Sequence, residues 1–155
     1  MGKLSVPPKP RERAASLEER AYLELLLTAD RLAGKMAEWL KPHGLSPTQY
    51  NALRILRGAG VDGLPCTEVG ARMISRDPDI TRLVDRLERR GLVTRSRGAK
   101  DRRVVRASVT PAGLELLKRL DRPVSEFVRG MMGHLRTEQL QSLMHLLGEA
   151  QRESD

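Results

Sequence analysis

The sequence predicts a mainly α-helical protein that carries one small β-hairpin. Of the 155 residues, 39% are hydrophobic and 31% are charged, which is typical of a globular chain rather than a disordered one. Apolar residues recur at helical spacing along most of the chain, whereas strand character is confined to one short region. The chain has only four aromatic residues, so its core must consist of aliphatic side chains, which favours helices.

Composition also excludes several classes of protein. A single cysteine, Cys66, excludes an intrachain disulfide and a cysteine-built zinc site, and it fits a reducing cytoplasm. No run of 18 apolar residues exists and residues 1–10 lack the apolar stretch of a signal peptide, so we expect a cytoplasmic protein without a membrane span. Nucleophile–base pairs, metal-ligand clusters and phosphate-binding glycine loops are missing from the sequence. We therefore expect no enzyme, no cofactor and no metal.

The first third of the chain predicts two helices behind a loose arm. Residues 1–15 contain prolines among charges and form the arm. A helix capped by the preceding serine is expected from Leu17 to about Pro42. A second helix opens at Ser46 and Pro47 and is ended by glycines.

The middle of the chain predicts a short helix, a turn and an amphipathic helix. The short helix covers about 67–74, and Asp77 and Pro78 fit the cap and first position of the helix that runs to Arg90. The apolar stripe of the helix that runs to Arg90 has the i, i+3, i+4, i+7 spacing: Ile80, Leu83, Val84 and Leu87. We expect this stripe to pack against the protein, which leaves Pro78, Arg82, Asp85 and Arg89 outside, flanked by Thr81 and Arg86.

A hairpin and two further helices complete the chain. Strands are predicted at 92–95 and 103–109, with a polar turn at 96–101. Thr110 caps the next helix, in which Pro123 predicts a kink or a break. Thr137 opens the last helix.

The positive charge is concentrated in that middle segment. Residues 72–106 hold twelve basic and five acidic residues, a net charge of +7 out of the +8 of the whole chain. Such a patch indicates a polyanionic partner, although a salt-bridged surface is the alternative. The element order is that of a winged helix-turn-helix, whose exposed helix face can enter a DNA major groove while a basic hairpin reaches the minor groove.

Two segments carry a resemblance to a known family. Residues 77–93 resemble the recognition-helix segment of MarR-family transcriptional regulators, and Asp101-Arg102-Arg103 with residues 109–113 resemble their wing and its exit. The resemblance covers about residues 16–150. It implies a homodimer, with a helical dimerisation region at 16–45 and 111–153 and a DNA-binding domain at 46–110. It also implies a pseudo-palindromic operator and a repressor that a small, often aromatic and acidic, ligand releases.

The resemblance also suggests residue roles. Arg103 would reach the minor groove, Asp101 would orient a neighbouring arginine through a charge-assisted bond, and Thr81, Arg82 and Arg86 would serve the major groove and its phosphates. The full recognition-helix set is Pro78, Asp79, Thr81, Arg82 and Arg86, and the wing set is Arg97, Lys100, Asp101, Arg102 and Arg103.

A ligand pocket is predicted less directly. Trp39 and His43 lie four residues apart and so share a helix face, in a region that borders the ligand pocket in the family. Together with Tyr50 they are the candidate pocket residues, with core or dimer packing as the alternative for Trp39. Cys66 stands away from the position of the family's peroxide-sensing cysteine, so we expect no redox role.

The sequence thus predicts a cytoplasmic, homodimeric regulator that binds specific double-stranded DNA and responds to a small-molecule effector. The alternative is a non-specific or architectural DNA-binding protein without effector control, which would share the basic patch. An enzyme or a protein-interaction module is less consistent with an arginine-rich outer helix face.

Overall fold

The computed structural model describes residues 16–75, 79–98 and 100–152. Within these ranges the chain forms six α-helices and a three-stranded sheet. The elements are α1 (Leu17–Leu40), α2 (Pro47–Ala59), β1 (Leu64–Pro65), α3 (Cys66–Arg72), α4 (Ile80–Arg89), β2 (Val93–Arg97), β3 (Val105–Val109), α5 (Pro111–Met132) and α6 (Thr137–Ala150), and a 3-10 turn, Lys41–His43, follows α1. The predicted fold class, mainly α with a small hairpin, is confirmed.

The first two helices begin where local sequence predicts. Ser16 Oγ accepts a hydrogen bond from the Glu19 N–H at 3.2 Å, and the Glu19 carboxylate accepts one from the Ser16 N–H at 2.6 Å. Ser46 and Gln49 repeat this reciprocal arrangement at the start of α2, at 3.1 and 3.0 Å. Both are capping boxes, which satisfy amide groups that a helix start otherwise leaves without partners.

One other predicted helix start, that of α4, is wrong, whereas α6 begins at Thr137 as predicted. The N-cap of α4 is Asp79, whose Oδ1 accepts a hydrogen bond from the Arg82 N–H at 3.0 Å, rather than Asp77. Pro78, like Asp77, lies outside the described residues. At α6, Thr137 is the first helical residue and Arg136 is the cap position, with its N–H donating to Gln139 Oε1 at 2.9 Å. At α4, Asp79 is in the right register to accept from the third helical N–H, that of Arg82.

Pro123 does not break its helix. Of the predicted kink or break, the break is wrong, because α5 runs from Pro111 to Met132 with Pro123 inside it, and the kink stays a prediction. Leu120 and Val124 on either side are buried in the core. Their packing holds both halves of α5 in place despite the hydrogen bond that a proline cannot donate.

The sheet has the order β1-β3-β2 with antiparallel pairs. Val93 pairs with Val109 and Arg97 with Val105, so the hairpin strands are shifted from the predicted 92–95 and 103–109 and the connecting loop becomes 98–104. Strand β1, which pairs Leu64 with Ala107, is missing from the prediction. Two residues are too few to show the alternation that identifies a strand.

One aliphatic core joins the helices to the sheet. Leu40, Leu53, Leu56, Leu87 and Leu117 are all 0% exposed, and they come from α1, α2, α4 and α5. The predicted stripe of α4 faces this core, with Leu83 and Val84 also buried and Ile80 partly buried against it. Burial of one such side chain stabilises the fold by about 1.5–3 kcal/mol, so α4 is firmly oriented.

The helices at the two ends are far less covered. Leu40 is the one buried residue of the 24-residue helix α1, and α6 has none. Large apolar side chains on these helices lie open to solvent in a single chain: Leu17, Tyr22, Leu23, Leu25, Leu26, Leu27, Met144 and Leu146. No helix in the described part of the chain is long and apolar enough to cross a membrane.

A glycine in the first turn of α5 provides a test of the packing. An added Cβ at Gly113 would lie 2.4 Å from the Leu92 carbonyl oxygen and 2.7 Å from Val109 Cγ2. We expect Gly113→Ala to lower the free energy of unfolding by about 2 kcal/mol, measured by urea denaturation at fixed protein concentration. In the control Gly58→Ala, the Cβ meets nothing within 4 Å, and the helix gains about 0.5–1 kcal/mol. Equal stability of the Gly113→Ala variant and the parent would contradict this close packing.

Candidate nucleic-acid interface

The outer face of α4 is set by its buried side. Because Leu83, Val84 and Leu87 point into the core, Thr81, Arg82, Arg86 and Arg89 are exposed. Arg82 Nε lies 3.0 Å from Asp79 Oδ2, and the Arg82 side chain is 78% exposed. Such an exposed pair contributes about 1 kcal/mol at most, so it does not prevent Arg82 from exchanging the carboxylate for another anion.

The wing is a short hairpin whose loop is held by its own backbone. The Gly98 N–H donates to the Val104 carbonyl at 2.9 Å, and the Val104 N–H donates to the Asp101 carbonyl at 3.1 Å. Asp101 Oδ1 accepts a hydrogen bond from the backbone N–H of Arg103 at 2.9 Å. The carboxylate therefore shapes the main chain that carries Arg103, and this bond does not involve the guanidinium group.

Four cations of the segment are left for an external anion. The side chains of Arg86, Lys100, Arg102 and Arg103 are exposed and form no ion pair within the described residues. Arg97 Nη1 donates to the Arg102 carbonyl oxygen at 3.3 Å, so this hydrogen bond joins two residues of the wing. The predicted wing residues thus lie together at one end of the hairpin, with Arg97 at the end of β2 and the other four in the loop that follows it.

Other arginines of the same segment hold the protein together. Arg106 donates to the carbonyls of Asp62 and Gly63 at 3.1 and 2.9 Å and so fixes the loop before β1. Arg90, at the end of α4, donates to the Gly44 carbonyl after the 3-10 turn. The net charge of the segment therefore overstates the number of cations available to a partner.

A cluster of opposite charges joins α4 to β2. Glu88 Oε1 accepts from the Arg95 backbone N–H at 3.0 Å, and its Oε2 accepts from Arg95 Nε at 2.7 Å. Arg95 Nη2 also donates to Asp85 Oδ1 at 3.1 Å, while Asp85 Oδ2 lies 2.8 Å from Arg89 Nη2. Asp85 is half-buried because Arg95 of β2 covers it, so less of the outer face of α4 is open than the helical spacing alone predicts. The hydrogen bonds from the side chain and then the backbone of Arg95 hold the pKa of Glu88 below its ordinary value.

Glu88 and Arg95 are absent from the site residues that sequence predicts. They lie seven residues apart across the turn at Gly91, where opposite charges give no periodic signal. Only the fold of β2 back along α4 brings them together.

The Trp39 side chain lines an open groove between α1 and α5. Its ring stacks on the Phe127 ring, with the two centroids 5.2 Å apart. The centroids of the Trp39 and His43 rings are 4.7 Å apart, and this contact is the one that the four-residue spacing predicts. The groove has a volume of about 950 Å³ and includes Gly34 and Lys35 of α1. Phe127, which sequence analysis did not single out, supplies its second aromatic wall.

Tyr50 lies in a different place from Trp39. It is 8% exposed, and it borders a separate cavity of about 270 Å³ between α2 and α5. The Arg54 guanidinium carbon lies 5.8 Å from the centre of the Tyr50 ring. Arg57 Nη1 donates to both Asp121 carboxylate oxygens at 2.9 Å. Of the predicted trio, Trp39 therefore lines the first groove, Tyr50 borders the second cavity, and His43 contacts Trp39 without lining either.

Cys66 has the surroundings of a structural thiol. It is half-buried at the start of α3, and burial raises the pKa of its thiol, an effect that Arg95 only partly opposes. A higher pKa means less thiolate at neutral pH, and thiolate is the reactive form. Among the described residues, no group of three or more His, Cys, Asp or Glu could hold a metal ion.

Comparison with known proteins places this geometry in a family. A family model described as the MarR family matches residues 45–105. A crystal structure of a MarR transcription factor from Planctomyces limnophilus is 42% identical, with a TM-score of 0.68 over 88% of this chain and 98% of that one. The homoprotocatechuate degradative operon repressor of Escherichia coli is 31% identical over 110 residues, which cover 71% of this chain and 73% of the repressor.

A further solved structure shows how far the fold extends. A mutant MarR from E. coli, in complex with operator DNA, is 19% identical, with a TM-score of 0.78 over 89% of this chain and the whole of that one. At this identity the likeness concerns the fold alone. The 42% identical structure and the 31% identical repressor, together with the matching family model, show that this chain belongs to the MarR family of DNA-binding transcriptional regulators, which are not enzymes.

Proposed function

We propose that two copies of this chain form a dimer that recognises a pseudo-palindromic operator and represses transcription until a small aromatic or phenolic ligand binds. In this proposal residues 46–110 form the DNA-binding domain and residues 16–45 with 111–153 form the dimerisation region, while the N-terminal arm predicted from sequence at 1–15 lies outside the described residues. The observation that carries the proposal is the exposed arginine face of α4 beside a wing with unpaired cations. Such a regulator acts in the cytoplasm, where the DNA of a bacterial cell lies.

In this proposal α4 enters the major groove. Of its ten residues, Thr81 and Arg82 are exposed in the first half, where a recognition helix contacts base edges, and Arg86 is exposed in the second half. Arg82 suits a bidentate contact to guanine, and Arg86 suits a phosphate one turn further along the helix. Asp79 caps the helix and positions Arg82, and Pro78 remains assigned to the same surface from sequence alone.

The wing reaches the minor groove in the same model of binding. Arg103 is the residue that enters the groove, because Asp101 holds the Arg103 backbone in the loop. Arg97, Lys100 and Arg102 supply positive charge to the flanking phosphates. An arginine in a narrow minor groove reads its width and its A·T content rather than single bases.

The uncovered end helices support a dimer. Leu23 and Leu27, one helical turn apart on α1, are each 52% exposed, and α6 adds Met144 and Leu146 at 66 and 63%. An apolar surface of this extent is rarely left open in a protein that works as a monomer. A second copy whose end helices pack against these would cover it.

The groove at Trp39 is the better supported ligand site. It is walled by two aromatic rings and is large enough for a single aromatic ring, and its charged lining is mixed, with Arg31 and Lys35 beside Asp30, Glu38 and Glu126. Trp39 also contacts His43, and the next residue, Gly44, accepts a hydrogen bond from Arg90 at the end of α4. A ligand that moves the Trp39 ring therefore has a short chain of contacts to the recognition helix.

DNA binding is tested with a duplex enriched by the wild-type protein from a random-sequence pool, compared with random duplex of equal length. We expect Arg103→Ala to weaken binding about tenfold, and Arg82→Ala to weaken it ten- to a hundredfold and to relax base preference. Arg122→Ala, on the exposed surface of α5, is the matched control and should bind like the parent.

Failure would take two different forms in this experiment. If both variants bind the enriched duplex like the parent at physiological salt, the placement of the recognition helix and wing is wrong. If no sequence is enriched, the alternative of non-specific or architectural binding is favoured, for which the unpaired wing cations would suffice.

The dimer is tested by mass measurement in solution. At micromolar concentration we expect twice the chain mass of 17.4 kDa. Leu23→Glu combined with Leu27→Glu should shift the population to monomer, because the dimer would bury both carboxylates. Val61→Glu, at a loop position that is 95% exposed, should leave the dimer intact. A monomeric parent protein would contradict the proposal.

Ligand control is tested by a thermal-shift screen of benzoates, hydroxybenzoates and phenols. A ligand of the native dimer must raise its melting temperature, and we expect the same compound to weaken DNA binding. Trp39→Ala should abolish the shift, whereas Val61→Ala, at an exposed apolar residue outside the groove, should keep it. A shift that survives Trp39→Ala and disappears in Tyr50→Phe would place the site in the other cavity. No shift with any compound would contradict ligand control by these classes.

A further inference from the structure

We propose that Glu88 is a positioning residue that sets the orientation of the wing relative to α4 without touching DNA itself. The inference rests on the proposed function, in which α4 and the wing contact DNA as two separate elements. A regulator of this kind must hold these elements at a fixed distance and angle, since they enter neighbouring grooves of a fairly rigid duplex.

Glu88 grips β2 by both its main chain and its side chain. One carboxylate oxygen accepts from the Arg95 backbone N–H at 3.0 Å, and the other accepts from Arg95 Nε at 2.7 Å. Hydrogen bonds that involve charged groups are about twice as strong as neutral ones. The bond to the main chain matters most here, because it fixes the strand itself and not only a mobile side chain.

Asp85 adds a second point of attachment one helical turn earlier. Arg95 Nη2 lies 3.1 Å from Asp85 Oδ1, so the arginine is bound by two successive turns of α4. The three side chains are 28 to 34% exposed, far less than the 78% of Arg82 in its own pair on the outer face. Less contact with water reduces screening and favours a persistent geometry.

The position of β2 is passed on to the wing tip. From Arg95 the strand continues two residues to Arg97 and then enters the loop that holds Arg103. β3 pairs with β2 along its whole length and moves with it. A change in the angle between β2 and α4 therefore displaces Arg103 relative to Arg82.

Simple electrostatics predicts the opposite effect of a change at Glu88. The residue places a negative charge beside an arginine-rich surface, so its removal should strengthen attraction to any DNA. If Glu88 sets the orientation, its removal weakens binding to the specific site despite that gain. The direction of the effect therefore separates a positioning role from a charge effect.

The test compares Glu88→Ala and the isosteric Glu88→Gln with the parent on the enriched duplex and on random duplex. We expect Glu88→Ala to lose about tenfold on the enriched duplex and to bind random duplex as well as the parent or better, so that the specificity ratio falls. Glu88→Gln keeps an acceptor for the Arg95 N–H and should lose less. Glu68→Ala is the control, because it removes a carboxylate whose arginine partner, Arg72, lies on the same helix.

Amide hydrogen exchange gives a readout that needs no DNA. The Arg95 N–H bonds to Glu88, so we expect its protection to fall in Glu88→Ala and to be largely kept in Glu88→Gln. The inference is overturned if Arg95 exchange is unchanged, if the specificity ratio is unchanged, or if both duplexes are bound more weakly to the same extent. Failure of the parent to prefer any sequence would instead count against the proposed function, while the exchange result still decides whether Glu88 holds the strand.

Discussion

The orientation of α4 is the constraint on which the rest of the interface depends. Leu83, Val84 and Leu87 can be buried only by turning one side of the helix toward the core. Each contributes about 1.5–3 kcal/mol, much more than any exposed ion pair on the opposite side. Packing therefore decides which face of α4 is presented, and the arginines of that face are exposed as a consequence.

The arginines of the basic segment serve two distinct purposes. Arg90, Arg95 and Arg106 donate to carbonyls or carboxylates of other elements and fix the helix, the strand and a loop in place. Arg86 and Arg103 make no such contact within the described residues and remain for a partner. Net charge cannot separate the two groups, because it counts a guanidinium equally whether or not it is already paired.

The helices differ in how completely they are packed. Fully buried leucines come from α2, α4 and α5, whereas α1 buries Leu40 alone, α6 buries no residue, and several large apolar side chains of these two helices lie open. The groove of Trp39 and Phe127 lies between α1 and α5. A ligand or a second copy that binds there is only a few residues from Gly44, the residue that Arg90 contacts.

Sequence by itself determined the features that depend on neighbours three or four residues apart. The caps at Ser16, Ser46 and Thr110, the stripe of α4 and the Trp39–His43 contact are of this kind, because helix geometry fixes their distances. The basic segment and its resemblance to the MarR family were likewise visible in the order of residues.

Tertiary structure alone decided the features that join distant parts of the chain. It paired the two residues of β1 with β3, turned Asp85 toward the wing, carried α5 through Pro123 and separated Tyr50 from Trp39. Each of these depends on which surfaces of other elements are available for packing or pairing. Which surfaces are available depends on how the whole core is packed, and a local pattern of residues does not contain this information.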